Sequence, residues 1–191
     1  MRHEARGILL TTWGDNGHHQ PWPTSWLPMA AGLAQAWGFA ANAKTDFAAG
    51  CAILGGLSDA DAQAVAAALT QLGTLDGQIA KANRNKSLTW DFLTAKPDAL
   101  AKFTDGVTPA EIAASQAHLA AAEALIAKIG DTTLRAELSL GARLAGAGLR
   151  RASGQPVSAE EQTGLKKEYE GVWLRRSRLG GLAESVAGLF G

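Results

Sequence analysis

Apolar residues recur at helical spacing along most of the chain, in stripes separated by three, four or seven positions. This periodicity is typical of helices that bury one face. It predicts helices over the following spans: Trp26 to Trp37, after Thr45 to Gly55, Ser58 to Gly73, Thr108 to Ile129, Thr132 to Ala152, Ser158 to about Arg176, and Leu182 to Phe190. Shorter helical pieces are expected between 74 and 105. Because no linker tract or fixed-period repeat interrupts them, we expect one antiparallel bundle.

Capping residues mark several of these predicted helix starts. Thr108 is followed by Pro109 and then by Glu111, which is the spacing of a capping box with proline at the first helical position. Ser158 and Glu161 repeat the capping-box spacing, and Asp46 falls in the first turn of the second helix.

One segment ahead of the helices has a different pattern. Residues 7–12, reading GILLTT, are apolar and β-branched without helical spacing, and a turn sequence follows at 14–17. They predict one β-strand. The expected fold is therefore mainly α, an antiparallel helical bundle preceded by one N-terminal strand. A lone strand leaves its backbone groups unpaired, so we expect its partner strands to lie upstream of Met1.

The strand leads into a loop that concentrates tryptophan, histidine and an acidic turn. The whole segment ARGILLTTWGDNGHHQPWPTSW resembles the last barrel strand and following loop of bacterial glycoside hydrolase family 20 proteins, the β-N-acetylhexosaminidases. Near the end of the chain, VWLRRSRLGGLAES is similar to the segment that closes the helical C-terminal extension of some of these proteins. The resemblance implies that residues 1–25 are the last strand and site loop of a TIM barrel, and that 26–191 form a helical C-terminal region.

The resemblance also implies roles for individual residues. Trp13 corresponds to the tryptophan that walls the sugar pocket, and Asp15 stands where the family has a glutamate that binds sugar hydroxyls. A flat indole suits the apolar face of a pyranose, and a carboxylate accepts hydrogen bonds from its hydroxyls. His18 is expected at the rim near the sugar. Trp22 and Arg178 are expected to support the loop, with Arg178 reaching it from the C-terminal segment.

The catalytic pair of that family is an adjacent Asp-Glu dipeptide, and this chain contains none. No catalytic residue is therefore predicted. The first functional hypothesis is a C-terminal portion of a β-N-acetylhexosaminidase-like hydrolase, which contributes sugar-pocket residues and a helical buttress and is inactive alone. Its partners are an N-acetylhexosaminide and the missing barrel. The alternative is a non-enzymatic helical module whose exposed strand and aromatic loop bind a partner or self-associate.

Other interpretations of the loop were weighed against these. Asp15, His18 and His19 suggest a metal site, but adjacent histidines point apart and His3 and His118 have no motif linking them to the pair. No metal and no cofactor is therefore predicted. Core packing is the favoured interpretation for three other tryptophans, Trp22, Trp26 and Trp37, and for Tyr169 with Trp173, which lie four residues apart on one helix face.

Charge and cysteine content exclude some classes of partner. Eighteen basic residues balance 18 acidic residues, which gives no reason to expect nucleic acid. No apolar run is long enough to span a bilayer, and the N-terminus lacks an apolar signal core. The single cysteine, Cys51, is expected to pack as a small hydrophobe. A cytoplasmic location is the default expectation, unless a signal peptide lies upstream.

Overall fold

The structure is a computed structural model, and it describes residues 7–11, 19–44, 46–82 and 86–191. Helices dominate these ranges, so the predicted helical class is confirmed. The helices are α1 (Trp26–Asn42), α2 (Phe47–Gly55), α3 (Asp59–Gly73), α4 (Leu88–Thr94), α5 (Pro97–Thr104), α6 (Pro109–Ile126), α7 (Thr132–Ala152), α8 (Ala159–Arg176) and α9 (Leu182–Phe190). Short 3₁₀ turns at Trp22–Ser25 and Leu75–Gln78 complete the order.

The predicted N-terminal strand is not found in residues 7–11, the part of it that the structure describes. A strand needs a neighbour with which to pair its backbone, and the described residues contain no other strand. Ile8 and Leu9 are exposed, whereas Leu10 lies against Gly32 of α1. The segment therefore runs beside a helix instead of pairing within a sheet.

Local capping explains where most helices begin. The predicted capping box is confirmed at α6, where the Thr108 hydroxyl accepts from the Glu111 backbone and the Glu111 carboxylate accepts from the Thr108 backbone. Asp46 precedes α2 as its cap instead of lying in its first turn. At α8 the Ser158 hydroxyl accepts from the Glu161 backbone, while the Glu161 carboxylate pairs with Arg150 of α7. That carboxylate thus ties two helices together.

The core has two clusters that meet along α7. The larger one gathers side chains of α3, α4, α6 and α7, among them Val65, Phe92, Ile126 and Leu138, which are all fully buried. The smaller one joins the other side of α7 to α8 and α9. Cys51 is fully buried in the larger cluster, as predicted, and burial raises the pKa of its thiol.

Long-range pairs show that neighbouring helices run antiparallel. Three ion pairs join α7 to α8: Arg150 with Glu161, Arg143 with Glu168, and Glu137 with Arg176. Residue numbers fall along α7 as those of the paired residues rise along α8, so the two helices are antiparallel. The closest helix approach is between α7 and α4. There a Cβ placed on Gly148 would lie 2.2 Å from the Thr89 carbonyl oxygen, so only glycine fits.

Candidate interaction surface

Three of the residues predicted to bind sugar, Trp13, Asp15 and His18, lie outside the described residues. The two predicted supporting residues are described. Trp22 begins the first 3₁₀ turn with 45% of its surface exposed. Arg178 is exposed, and its backbone carbonyl accepts a hydrogen bond of 2.8 Å from Trp173 Nε1. This hydrogen bond lies within the C-terminal segment, and the sugar-site and loop-support assignments stay predictions.

The end of the loop is fixed to the helical body through His19. This side chain is buried and stacks on Trp90 of α4, with ring centroids 5.4 Å apart. Trp90 Nε1 donates to His19 Nδ1 over 3.2 Å, so the imidazole is held with Nδ1 as an acceptor. Lys86 Nζ lies 5.0 Å from the centroid of the Trp90 ring. Since Pro21 also lies against Gly141 of α7, residues 19–25 rest on α4 and α7.

The start of α1 contacts an ion pair of which one partner, Glu137, is buried. Trp26 is buried, and the guanidinium of Arg176 lies 5.6 Å from the centroid of its ring. Arg176 in turn donates two hydrogen bonds, of 2.5 and 2.7 Å, to the carboxylate of Glu137, which is 1% exposed. The hydrogen bond to Glu137 raises the pKa of Arg176. These contacts set the position of α1 on the body.

Beyond Trp26, contact of α1 with the larger core cluster is limited to partly buried residues such as Leu27. Trp26 is the only buried residue among the 17 of α1, although the helix contains no charged residue. Trp37 is 93% exposed, so the prediction that it packs in the core is wrong, whereas the same prediction for Trp26 is confirmed. Phe39 and Leu33 are also exposed. The exposed large side chains of α1 are therefore all apolar.

Helix α2 continues this apolar surface. It packs antiparallel to α1, with Gly55 against the Trp26 indole and Gly50 so near Ala30 that an added Cβ would lie 2.7 Å away. Its inward residues, Ala48 and Cys51, are buried, and its outward ones are not. We define the α1–α2 surface by its exposed large side chains, which are Leu33, Trp37, Phe39, Ile53 and Leu54.

Charge is nearly absent from the α1–α2 surface. No Asp, Glu, Lys or Arg occurs between Asp15 and Lys44, nor between Asp46 and Asp59. Lys44 and Asp46 are thus the nearest formal charges in sequence, and both belong to the turn between the two helices. A large exposed apolar patch is typical of a binding surface, and this one also lacks charged residues among its large side chains.

Two grooves elsewhere in the described residues are weaker candidates for a binding site. An open groove of about 510 Å³ between α6 and α7 is lined by Glu123, Arg135 and Arg143, and Arg143 is already paired with Glu168 of α8. A second groove, of about 690 Å³, lies along α8 and α9. No group of three or more potential metal ligands occurs within the described ranges. No helix in those ranges is both long enough and apolar enough to cross a bilayer.

Searches of protein-family models, of curated proteins and of solved structures found no significant match to the chain.

One feature of the sequence indicates the α1–α2 surface, and hydrophobic periodicity alone does not reveal it. An amphipathic surface helix has a polar side, whereas the exposed positions of α1 are Pro, Leu, Ala, Trp and Phe. A helix that is apolar all round is normally buried. Since α1 is not, the missing charges were the feature that pointed to a docking surface.

Proposed function

We propose that the chain is a non-enzymatic helical interaction module that docks an uncharged, apolar helical face onto its α1–α2 surface. The observation that carries this proposal is the 93% exposure of Trp37 on a helix with no charged residue. Aromatic side chains of this kind dominate the energy of protein interfaces when a partner buries them.

Exposure of this surface has a free-energy cost that a partner removes. Burial of apolar area contributes about 25 cal/mol per Å², so covering a tryptophan and a phenylalanine is worth several kcal/mol before the costs of association. Monomeric proteins rarely leave such patches open. A partner with charged residues at the contact would have to desolvate them without a counter-charge on α1 or α2.

The helical body anchors the surface at the start of α1 and along the buried residues of α2. Trp26 lies between the Arg176 guanidinium and the packed Gly55, and the Glu137 carboxylate orients that guanidinium from inside the core. The second helix is attached to α3, because Ala48 and Cys51 are buried at that contact. A preorganised surface loses less conformational entropy on binding than a flexible segment does.

Site-specific photo-crosslinking tests this proposal. Benzoyl-phenylalanine replaces Phe39, which is 73% exposed, and in a matched control it replaces Leu174 on α8, which is 52% exposed. We expect irradiation in cells to give one dominant adduct at position 39 and not at 174. Mass spectrometry identifies the adduct, and the purified partner must then bind the chain through an uncharged helix. Equal adducts at the two positions, or a partner contact rich in charged residues, would contradict the proposal.

A second candidate function is the C-terminal portion of a β-N-acetylhexosaminidase-like hydrolase. It rests on the resemblance of the N-terminal segment, and one packing observation favours it. Residues 19–25, the end of that segment, rest on α4 and α7 through the stacking of His19 on Trp90. In this second proposal the helical body buttresses the sugar-site loop, and Trp13 with Asp15 contributes to an N-acetylhexosamine pocket completed by a barrel.

The hexosaminidase proposal is tested with the purified chain and N-acetylglucosamine. Saturable quenching of tryptophan fluorescence that is lost in Trp13→Ala but kept in Trp37→Ala would support a sugar subsite. Hydrolysis of a chromogenic N-acetylglucosaminide would show that the chain acts without the Asp-Glu pair. If neither quenching nor hydrolysis occurs, this second proposal fails and the interaction module is unaffected.

A further inference from the structure

We infer that the occupant of the α1–α2 surface is a second copy of the same surface, so that two chains form an isologous dimer. This inference rests on the proposed function and names the partner for it. In a two-fold dimer each patch meets its own copy, so the patch must complement itself in charge, in shape and in area.

The charge pattern satisfies the first condition. An uncharged surface can pack against its own copy without like-charge repulsion. No charged group is then buried without a partner of opposite charge. Lys44 and Asp46 flank the turn between α1 and α2 with opposite signs, so two copies related by a two-fold axis do not oppose a net charge there. A partner selected by charge would need complementary residues that this surface does not offer.

The shape of the surface satisfies the second condition. Leu33, Ala36 and Trp37 lie at i, i+3 and i+4 of α1 and are exposed, and Ala49 and Ile53 lie four apart on α2 and are also exposed. Large and small side chains therefore alternate on both helices. Knobs of one copy can enter the alanine-lined holes of the other, which is how helices interdigitate at close distance.

The size of the surface fits a dimer of modest stability. Five large apolar side chains are between 46% and 93% exposed, and Trp37 and Phe39 alone present roughly 300 Å². With Leu33, Ile53 and Leu54 the apolar area is on the order of 700 Å², near the roughly 800 Å² that each partner contributes to a standard interface.

A lipid surface is less well matched to these helices. Helices that lie in a membrane interface usually combine an apolar face with a polar face rich in Lys and Arg. Helices α1 and α2 contain neither residue, and Lys44 is the one basic residue in the turn between them. The apolar face alone thus favours a protein partner with the same composition.

Sedimentation equilibrium of the purified chain tests the inference. We expect a mass that rises with concentration from the 19.8 kDa of one chain to twice that value, with dimer present at concentrations up to about 100 μM. Trp37→Glu should raise the dissociation constant at least about tenfold, because an aromatic anchor at the centre of an interface dominates its energy. Trp37→Phe should largely restore association.

The control variant is Leu174→Glu, which places the same charge on an exposed leucine of α8. It should leave the dissociation constant unchanged, and circular dichroism should show equal helicity in all variants. A monomeric wild-type chain, or equal weakening by Trp37→Glu and Leu174→Glu, overturns the inference. A monomer that sediments with phosphatidylcholine–phosphatidylglycerol vesicles overturns it in favour of lipid. If the wild type is monomeric but the adduct at position 39 is a different helical protein, the inference fails and the proposed function stands.

Discussion

Helices α1 and α6 are nearly equal in length and both are rich in alanine, yet they meet the rest of the molecule in different ways. Five residues of α6, Ile112, Ser115, Leu119, Ala122 and Ile126, are buried at spacings of three and four, between α3 and α7. Its outward side carries Glu123. Helix α1 buries Trp26 alone and is apolar on its outward side.

The difference separates two uses of apolar residues. In α6 and α7 the apolar side chains pack inside the intramolecular core, so truncating these side chains should unfold the protein. In α1 and α2 the outward residues contribute nothing to that core, so truncating them should change association and leave the fold intact. Measurements of unfolding and of association on matched variants therefore distinguish the two regions.

The largest effect is expected for a core leucine of α7. Leu138 is fully buried, so Leu138→Ala removes packed methyl groups and leaves a cavity, with an expected loss of about 3–4 kcal/mol in the free energy of unfolding. Leu33→Ala is the matched variant on α1, where Leu33 is 51% exposed, and its loss should stay below about 0.5 kcal/mol. Urea denaturation at a concentration where the chain is monomeric measures both. Similar losses in the two variants would show that α1 packs on the body more fully than described.

The next effect compares two close helix contacts made by glycines. A Cβ on Gly148 meets the Thr89 backbone, which cannot move without displacing α4, so Gly148→Ala should cost about 2–3 kcal/mol. A Cβ on Gly50 meets the Cβ of Ala30 on α1, a helix with few other contacts, and it can shift outward. Gly50→Ala should therefore cost about 1 kcal/mol or less. Thermal melts of the two variants give the order, and a larger loss at Gly50 would contradict it.

The third effect is a loss of stability expected at the ion pair that joins the start of α1 to the helical body. Arg176→Met removes the partner of buried Glu137 and the cation above Trp26. Breaking a fully buried pair costs about 3–5 kcal/mol, but Arg176 is 36% exposed and water screens the pair, so about 1–2 kcal/mol is expected.

The double variant Glu137→Leu with Arg176→Met should recover part of that loss, because no carboxylate is then left unpaired in the core. Urea denaturation of the two single variants and the double variant completes the cycle. If the double variant is destabilised by the sum of the two single losses, Glu137 and Arg176 are not coupled and the start of α1 is not held by this ion pair.

Much of the helical fold followed from local chemistry in the sequence. The ends of α3, α7, α8 and α9 were predicted because caps, glycine breaks and apolar stripes coincide there. Two boundaries were wrong for tertiary reasons. Helix α6 ends at Ile126 and not at Ile129, because Asp61 of α3 accepts from the Gly130 backbone and Arg135 donates to the Ile129 carbonyl.

The other wrong boundary is in α1, which continues past Trp37 to Asn42. The backbone departs from helical angles at Gly38, and the Asn42 side-chain amide then donates to the Ala34 carbonyl over 2.7 Å, while Gln35 donates to the Asn42 carbonyl over 3.2 Å. Such side-chain contacts across a kink leave no periodic signal.

The surface itself was only partly predictable. A helix without charges can be recognised in the sequence, but the sequence does not show that α1 buries only Trp26. Trp26 and Trp37 look alike in the pattern, but Trp26 packs against Gly55 and Arg176, and the pattern does not reveal contacts with residues so distant in sequence. The segment carrying the sugar-site prediction depends on a family resemblance, and its key residues lie outside the described ranges.

The smallest expected effect is a pH dependence at the start of α6, the helix that packs fully. Backbone hydrogen bonds from Ala80 and Thr108 hold the pKa of the Glu111 carboxyl below its ordinary value. The unfolded state therefore binds more protons than the folded state as the pH falls through the carboxylate range. The stability that Glu111 contributes is full above its unfolded pKa and is lost as the pH falls through its folded pKa.

Glu111→Gln should accordingly destabilise the protein more at neutral pH than below the carboxylate range, where the wild type has already lost the charged cap. The difference in urea midpoint between wild type and variant, followed from pH 7 downward, measures this, with Glu123→Gln on the outward side of the same helix as the control. A difference in midpoint that is constant with pH would mean that the contacts of Glu111 do not depend on its charge, and the cap of α6 would then act as a neutral hydrogen-bond acceptor.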